Sequence, residues 1–94
     1  MSRLMSVDSS TFTAAFVANS RIRSRLIELL SNRPRTPTEL ASIEKKHVSH
    51  VSRALAELRE RGLVEAISTQ SRERYYRTTY LGMAIYYGMV RTPK

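Results

Sequence analysis

TPTELASIEKKHVSHVSRALAELRERGLVE, residues 36–65, is the stretch that decides the fold. Its start predicts a capped helix, because the side chains of Thr36 and Glu39 can each accept a hydrogen bond from the other's backbone N–H. Pro37 then occupies the first helical position, where its missing N–H has no cost. The inward face of this short helix is predicted to consist of Leu40, Ala41 and Ile43.

A second helix is predicted at about residues 48–61, only a few residues after the first. Its apolar residues recur every three or four positions, as on one buried face of a helix. This inner stripe consists of Val48, Val51, Leu55 and Leu58. Gly62 follows, where a helix commonly ends in a left-handed residue. Two helices joined so closely indicate a helix-turn-helix.

On the C-terminal side, the β-prone runs LVEAIST and RYYRTT flank the polar QSRE. This pattern predicts a two-stranded hairpin, the wing, at about residues 63–79. A last helix is predicted at about residues 79–90, with the Thr79 hydroxyl as its cap.

On the N-terminal side, Phe12 and Phe16 are four residues apart, which indicates a short helix starting near residue 8. Ser20 is the predicted cap of the next helix. The apolar stripe of that helix consists of Ile22, Leu26, Leu29 and Leu30.

The predicted order is therefore helix, helix, turn, helix, hairpin, helix. This is the order of a winged helix-turn-helix domain with extra N- and C-terminal helices, a fold that is mainly α with a small β-hairpin. We expect one domain at residues 8–91 after a flexible N-terminus at residues 1–7.

The amino-acid composition favours some classes of function and excludes others. The 94-residue chain has 16 Lys and Arg against 8 Asp and Glu, a net charge of +8, which favours a polyanionic partner. It has no cysteine, which excludes thiol catalysis and thiolate metal sites. No spacing of its few histidines and carboxylates matches a catalytic motif. We therefore expect neither an enzyme nor a resident cofactor or metal.

Two features bear on location. The N-terminal MSRLMSV lacks the apolar core of a signal peptide. The most apolar run, residues 80–90, is shorter than the roughly 20 residues that a membrane span needs. Both features predict a cytoplasmic, nucleoid-associated protein without a membrane partner.

The segments TPTELA, VSRALAELRERGLVE and RYYRTTYLG resemble winged helix-turn-helix regulators of the ArsR/MarR type, especially small archaeal ones. The resemblance extends over about residues 20–82 and implies a DNA-binding transcriptional regulator. Thr79 and Gly82 match the family's usual start of the last helix, whereas Thr78 replaces a leucine. Because the cysteines of thiol metal sensors are absent, a metal response does not carry over.

The turn departs from that family, since Glu44-Lys45-Lys46 lacks the usual glycine and His47 replaces the usual Ser or Thr at the start of the second helix. His47 and His50 are three residues apart. No cysteine or suitably spaced acidic residue completes a metal site around them.

With the apolar stripe turned inward, the first turns of the second helix present polar side chains outward. A helix fits the major groove of DNA and reads base edges with its N-terminal half. The predicted base-reading residues are Ser49, His50, Ser52 and Arg53. An ordinary solvated face would show the same pattern, but the net charge and the preceding helix favour DNA.

Other residues are predicted to contact the DNA backbone. Arg72 and Arg74 flank the tip of the wing, and a guanidinium suits both phosphate oxygens and narrow minor grooves. The remaining predicted contacts lie at the start of the first helix and in the turn: Thr36, Thr38, Lys45, Lys46 and His47.

The segment TYLGMAIYYGMV, residues 79–90, is apolar on nearly all sides, so one small domain can cover only part of it. The simplest way to bury the rest of this segment is to pack it against a second copy of the chain around a two-fold axis. The predicted dimer interface consists of Phe12, Phe16, Leu81, Ile85, Tyr86 and Met89. A membrane-surface helix is the alternative, but the segment lacks the charged face of such helices.

These features predict a homodimeric regulator that binds specific double-stranded DNA. Two alternatives stay open. One is an architectural protein that binds DNA without base choice. The other is a protein-binding winged helix of the transcription machinery. No small-molecule effector is indicated.

Overall fold

The computed structural model describes residues 9–67, 69–70 and 72–91, with the side chains of 9–11 and 89–91 left aside. This part of the chain forms helices and one antiparallel hairpin in the predicted order, which confirms the mainly α winged-helix fold. The elements are α1 Ser9–Ala18, α2 Arg21–Asn32, α3 Pro37–Glu44, α4 Val48–Glu60, β1 Val64–Ile67, β2 Tyr75–Thr78 and α5 Tyr80–Arg91.

Side-chain caps set where three helices begin. The Ser20 hydroxyl accepts a hydrogen bond from the backbone N–H three residues later, at 3.2 Å, and starts α2. At α3, Thr36 and Glu39 form both bonds of the capping box, at 2.9 and 3.1 Å. The Thr79 hydroxyl accepts from the Gly82 N–H at 3.1 Å and starts α5. All three caps agree with the prediction, because capping depends on local sequence.

The core lies where α2, α3 and α4 meet, and the base of the wing and α5 close it. Its buried apolar side chains are Val17, Leu26, Ile27, Leu30, Leu40, Ala41, Val51, Ala54, Leu55, Leu58, Leu63, Val64 and Ile85. In α2 the stripe is centred on Leu26, Ile27 and Leu30, while Ile22 and Leu29 are only partly buried.

Two residues predicted to face inward are not buried. Ile43 is 41% exposed and Val48 is 46% exposed. Both flank the exposed turn at residues 45–47, because Ile43 lies at the end of α3 and Val48 at the start of α4. The inner stripe of α4 therefore begins at Val51 and includes Ala54.

The wing is tied to the connector before α3. Ala66 pairs with Tyr76 in the hairpin, and Arg35 pairs with Tyr76 on the other side. The Arg35–Tyr76 bridge has backbone hydrogen bonds of 3.1 and 2.9 Å, one in each direction. The sequence could not predict the Arg35–Tyr76 bridge, because a single paired residue leaves no alternation of apolar and polar residues in the sequence.

Arg25 on α2 forms contacts within the chain. Its guanidinium donates to Glu44 at 2.9 Å and to Glu28 at 2.8 Å, and so ties α2 to the end of α3. The hydrogen bond to Glu44 raises the pKa of Arg25 above its ordinary value, and partial burial opposes this shift. Arg25 is therefore committed to an ion-pair network between helices.

Arg23 joins three helices. It donates to Glu57 of α4 at 3.2 Å and to the carbonyl oxygen of Phe16 at 2.9 Å. The guanidiniums of Arg23 and Arg61 also lie over the Phe16 ring, 3.8 and 3.9 Å from its centre. Such cation–π contacts stabilise exposed sites by about 0.5–1 kcal/mol. They tie α1 and α2 to the C-terminal half of α4.

The start of α5 packs against the end of α4. The Thr79 hydroxyl donates to the carbonyl oxygen of Gly62 at 2.6 Å, and the Thr79 N–H donates to that of Leu63 at 3.0 Å. Gly62 has the predicted left-handed conformation, with φ of +73°. Gly82 lies so close that an added Cβ would overlap the Leu63 carbonyl oxygen.

Two glycines of α5 provide a matched test of this packing. We expect Gly82→Ala to lower the free energy of unfolding by about 1–3 kcal/mol, the usual cost of overpacking. Gly88→Ala should leave stability unchanged or raise it by up to about 1 kcal/mol, because a Cβ there meets nothing within 4 Å. Urea denaturation followed by circular dichroism measures both, and equal stability of the two variants would contradict the packing.

Candidate nucleic-acid interface

The outer face of α4 brings the predicted base-reading residues together. Ser49, His50, Ser52 and Arg53 are all exposed and lie within the first two turns of the helix. They face outward because the opposite stripe is held in the core, with Val51 fully buried. Hydroxyl, imidazole and guanidinium groups can together donate to and accept from base edges.

The turn before α4 carries the two predicted lysines. Lys45 adopts the left-handed conformation, with φ of +57°, which is uncommon for a residue other than glycine. Its backbone N–H donates to carbonyl oxygens of α3 and ends that helix. Lys46 and His47 are exposed beside it, so three adjacent side chains of the turn are open to a partner. His47 is the N-cap of α4 and makes no side-chain capping bond.

The predicted phosphate contact of Thr36 is corrected by the structure. Thr36 is 3% exposed, and its hydroxyl accepts from the Glu39 N–H. The Glu39 carboxylate in turn accepts from the Thr36 N–H, so an acidic group already occupies this helix start. Thr38 is exposed and stays a predicted backbone contact.

The two faces of the wing differ. Ala66 and Tyr76 lie on one face of the hairpin, and Glu65 and Arg77 lie on the other. The Arg77 guanidinium donates to the Glu65 carboxylate at 2.7 Å. The predicted contacts Arg72 and Arg74 are exposed near the hairpin tip.

An open cleft separates α4 from the wing. It is lined by Ser52, Ala56 and Arg59 on the helix and by Tyr76 on β2. From Arg59 the cleft continues toward the hairpin tip, where Arg72 and Arg74 lie. Sequence reasoning missed Arg59. The spacing of residues 49, 52, 56 and 59 along one helical stripe is the signal that points to it.

The predicted dimer residues differ in exposure. Phe12 is 63% exposed and Leu81 is 43% exposed. Phe16 and Tyr86 are half-buried and pack against the core of the same chain. The prediction for Ile85 is corrected: it is only 7% exposed, because it belongs to the hydrophobic core of its own chain. Met89 lies outside the described side chains.

Two exposed aromatic residues of α5 were not predicted. Tyr80 is 93% exposed, and Tyr87 is 50% exposed with its ring 5.5 Å from that of Tyr86. Their positions on the helix show that the exposed stripe of α5 is rotated away from Ile85.

Within the described residues, no group of three or more acidic, histidine or cysteine side chains is arranged to hold a metal ion. In the same part of the chain, no helix has both the length and the apolar content to cross a membrane.

A family model, the HVO_A0261 N-terminal domain, matches residues 12–92, which include every element from α2 to α5. The chain belongs to this family. No curated protein sequence matches the chain significantly.

Solved structures show the same fold. Reduced HlyU from Vibrio cholerae has a TM-score of 0.78 and 18% identity, with 100% of both chains covered. A possible transcriptional regulator for arsenical resistance has a TM-score of 0.67 and 32% identity, over 83% of this chain and 80% of that one. ZitR of Lactococcus lactis, a mutant bound to DNA, has a TM-score of 0.69 and 18% identity over 77% of this chain.

The chain spans about half the length of ZitR, since 51% of that chain is covered. These neighbours agree with the predicted winged-helix fold. One of them is named as a possible transcriptional regulator, and another was solved in complex with DNA.

The uncapped start of α4 yields a stability test. We expect His47→Ser to raise the free energy of unfolding by about 0.5–1 kcal/mol, because the serine hydroxyl can accept from a backbone N–H that the imidazole does not reach. Thr36→Ala should lower it by about 1 kcal/mol, because it removes one bond of the capping box of α3. Urea denaturation measures both. A less stable His47→Ser would show that the imidazole itself supports the helix start.

Proposed function

We propose that the chain is a sequence-specific transcription regulator that binds double-stranded DNA as a homodimer. In this proposal residues 8–91 form one domain of the ArsR/MarR type, close to its small archaeal members. It works in the cytoplasm at the nucleoid. α4 enters the major groove, and the wing contacts the flanking backbone or minor groove. The observation that carries the proposal is the outward face of Ser49, His50, Ser52 and Arg53.

Charge supports this orientation. Within the described residues, Arg53, Arg72 and Arg74 form no ion pair, whereas Arg23 and Arg25 do. Unpaired guanidiniums are available to phosphates and bases without first breaking a contact. A net charge of +8 on 94 residues also steers the chain toward DNA. Binding should therefore weaken steeply as salt rises, since each neutralised phosphate releases counterions.

Base reading is expected at the start of α4. A guanidinium there can donate two hydrogen bonds to guanine, and each such pair favours the right base by about 1–3 kcal/mol. Arg53 is the candidate for this bond, while Ser49 and His50 suit several bases. An architectural protein would bind through the same cationic surface without this choice.

The exposed apolar side chains of α1 and α5 support a dimer. Phe12, Leu81 and Tyr87 present large apolar groups to solvent in the single chain. A two-fold contact through them would cover these groups and place two copies of α4 side by side. The binding site would then contain inverted half-sites about one helical turn, or roughly 34–36 Å, apart.

Selection of bound duplexes from a random pool tests specificity. The unaltered chain should select one inverted-repeat motif. Arg53→Ala should relax the preference at one position of each half-site, with a loss of about 1–3 kcal/mol for that base. Arg77→Ala, on the far face of the wing, is the control and should keep the motif. Enrichment of no motif would favour the architectural alternative. Failure to bind any duplex at low salt would favour the protein-binding one.

Sedimentation velocity at micromolar concentration tests the dimer. We expect the unaltered chain to sediment as a dimer and Phe12→Glu combined with Leu81→Glu to sediment as a folded monomer, because both changes bury charges in the proposed seam. Ile85→Ala should instead lower stability by about 2–5 kcal/mol, as for a core residue. A monomeric unaltered chain would disprove the dimer.

A further inference from the structure

We infer that the cleft between α4 and the wing holds one phosphodiester strand of DNA, and that Arg59, Arg72 and Arg74 bind a phosphate there. This inference rests on the proposed function and adds a site to it. Arg59 is the new residue. It lies on the recognition helix but reads no base.

The two walls of the cleft come from different elements. α4 contributes Ser52, Ala56 and Arg59, which continue the outward stripe of the helix toward its C-terminus. The wing contributes the face that carries Tyr76, whereas Arg77 lies on the opposite face of the hairpin. The cleft is therefore bounded by the two elements that are proposed to contact DNA.

The geometry of DNA explains what such a cleft accommodates. The major and minor grooves are separated by a single sugar–phosphate strand. A domain with a helix in one groove and a hairpin at the next must therefore straddle that strand. Whatever lies between α4 and the wing in the complex is backbone, which carries a negative charge at every nucleotide.

The charges in the cleft match a phosphate. One guanidinium comes from α4 and two come from the wing, and none of the three pairs with a carboxylate within the described residues. Two carboxylates, Glu60 and Glu73, also line the cleft. The three guanidiniums outnumber these two carboxylates, so the cleft has a net positive charge. Planar guanidiniums bind phosphate oxygens through paired hydrogen bonds.

A structural role for Arg59 is the competing explanation. Arg59 lies in the last turn of α4, where a cation stabilises the helix dipole. Such a role predicts a change in stability and no change in how binding depends on salt. A phosphate site predicts that the salt dependence of binding changes when Arg59 is replaced. The salt dependence therefore separates the two explanations.

The first experiment measures affinity for a short mixed-sequence duplex against salt concentration by fluorescence anisotropy. Arg59→Gln should reduce the slope of log K against log salt by about 0.9 per bound chain. It should weaken binding roughly threefold to tenfold near physiological salt. Arg77→Gln removes one charge from the far face of the same wing and should keep the slope within experimental error. Arg59→Lys should keep most of the slope, because it keeps the charge.

If the unaltered chain binds no duplex, the proposed function fails, and this inference fails with it. If the unaltered chain binds and Arg59→Gln keeps its slope, only the phosphate site is disproved. An equal loss of slope in Arg77→Gln would show a general effect of net charge and would also disprove the site.

A second experiment locates the phosphate on the DNA. A single uncharged methylphosphonate is moved along both strands of the selected duplex. The unaltered chain should lose affinity at phosphates between the base contacts and the wing contact. Arg59→Gln should lose sensitivity at one of these phosphates and keep it at the others. An unaltered chain that is insensitive throughout that segment would overturn the inference.

Discussion

Burial of one stripe of α4 is the constraint on which the rest of the structure depends. Val51, Leu55 and Leu58 are at most 1% exposed, and burying each such side chain stabilises the fold by about 1.5–3 kcal/mol. Because a helix repeats every 3.6 residues, fixing this stripe in the core also fixes which residues point away from it. Ser52 and Arg53 are exposed for this reason, and the candidate interface is a direct consequence of the core.

A second constraint joins the wing to that helix. Gly62 turns the chain out of α4, and Leu63 is fully buried directly after it. Gly82 of α5 packs on the Leu63 backbone, and Arg35 pairs with Tyr76 from the other side. The wing is therefore held from two directions. A fixed spacing between wing and helix is what a cleft needs to accept a strand of constant width.

Features that depend on neighbouring residues in the sequence could be predicted. Features that depend on packing between distant parts of the chain could not. The caps and Gly62 follow from residues within one turn of each other, and the structure has them as predicted. Exposure of Val48 and burial of Ile85 depend on which parts of the folded chain pack against them, and the periodicity of one helix does not show this. From sequence alone, Thr36 fits a phosphate contact as well as a cap, because capping and phosphate binding use the same backbone N–H groups at a helix start. Arg59 was missed because its partner wall is the wing, distant in sequence.

We propose that the outward face of α4 and the wing form the DNA interface, with α1 and α5 turned away from it. Backbone amide chemical-shift mapping on titration with the selected duplex tests this arrangement. We expect the largest shifts at Ser49–Arg53, at Arg59 and at Arg72–Arg74. Shifts across Phe12–Val17 and Leu81–Tyr87 should be small. Shifts concentrated on α1 and α5, with α4 unchanged, would contradict this arrangement.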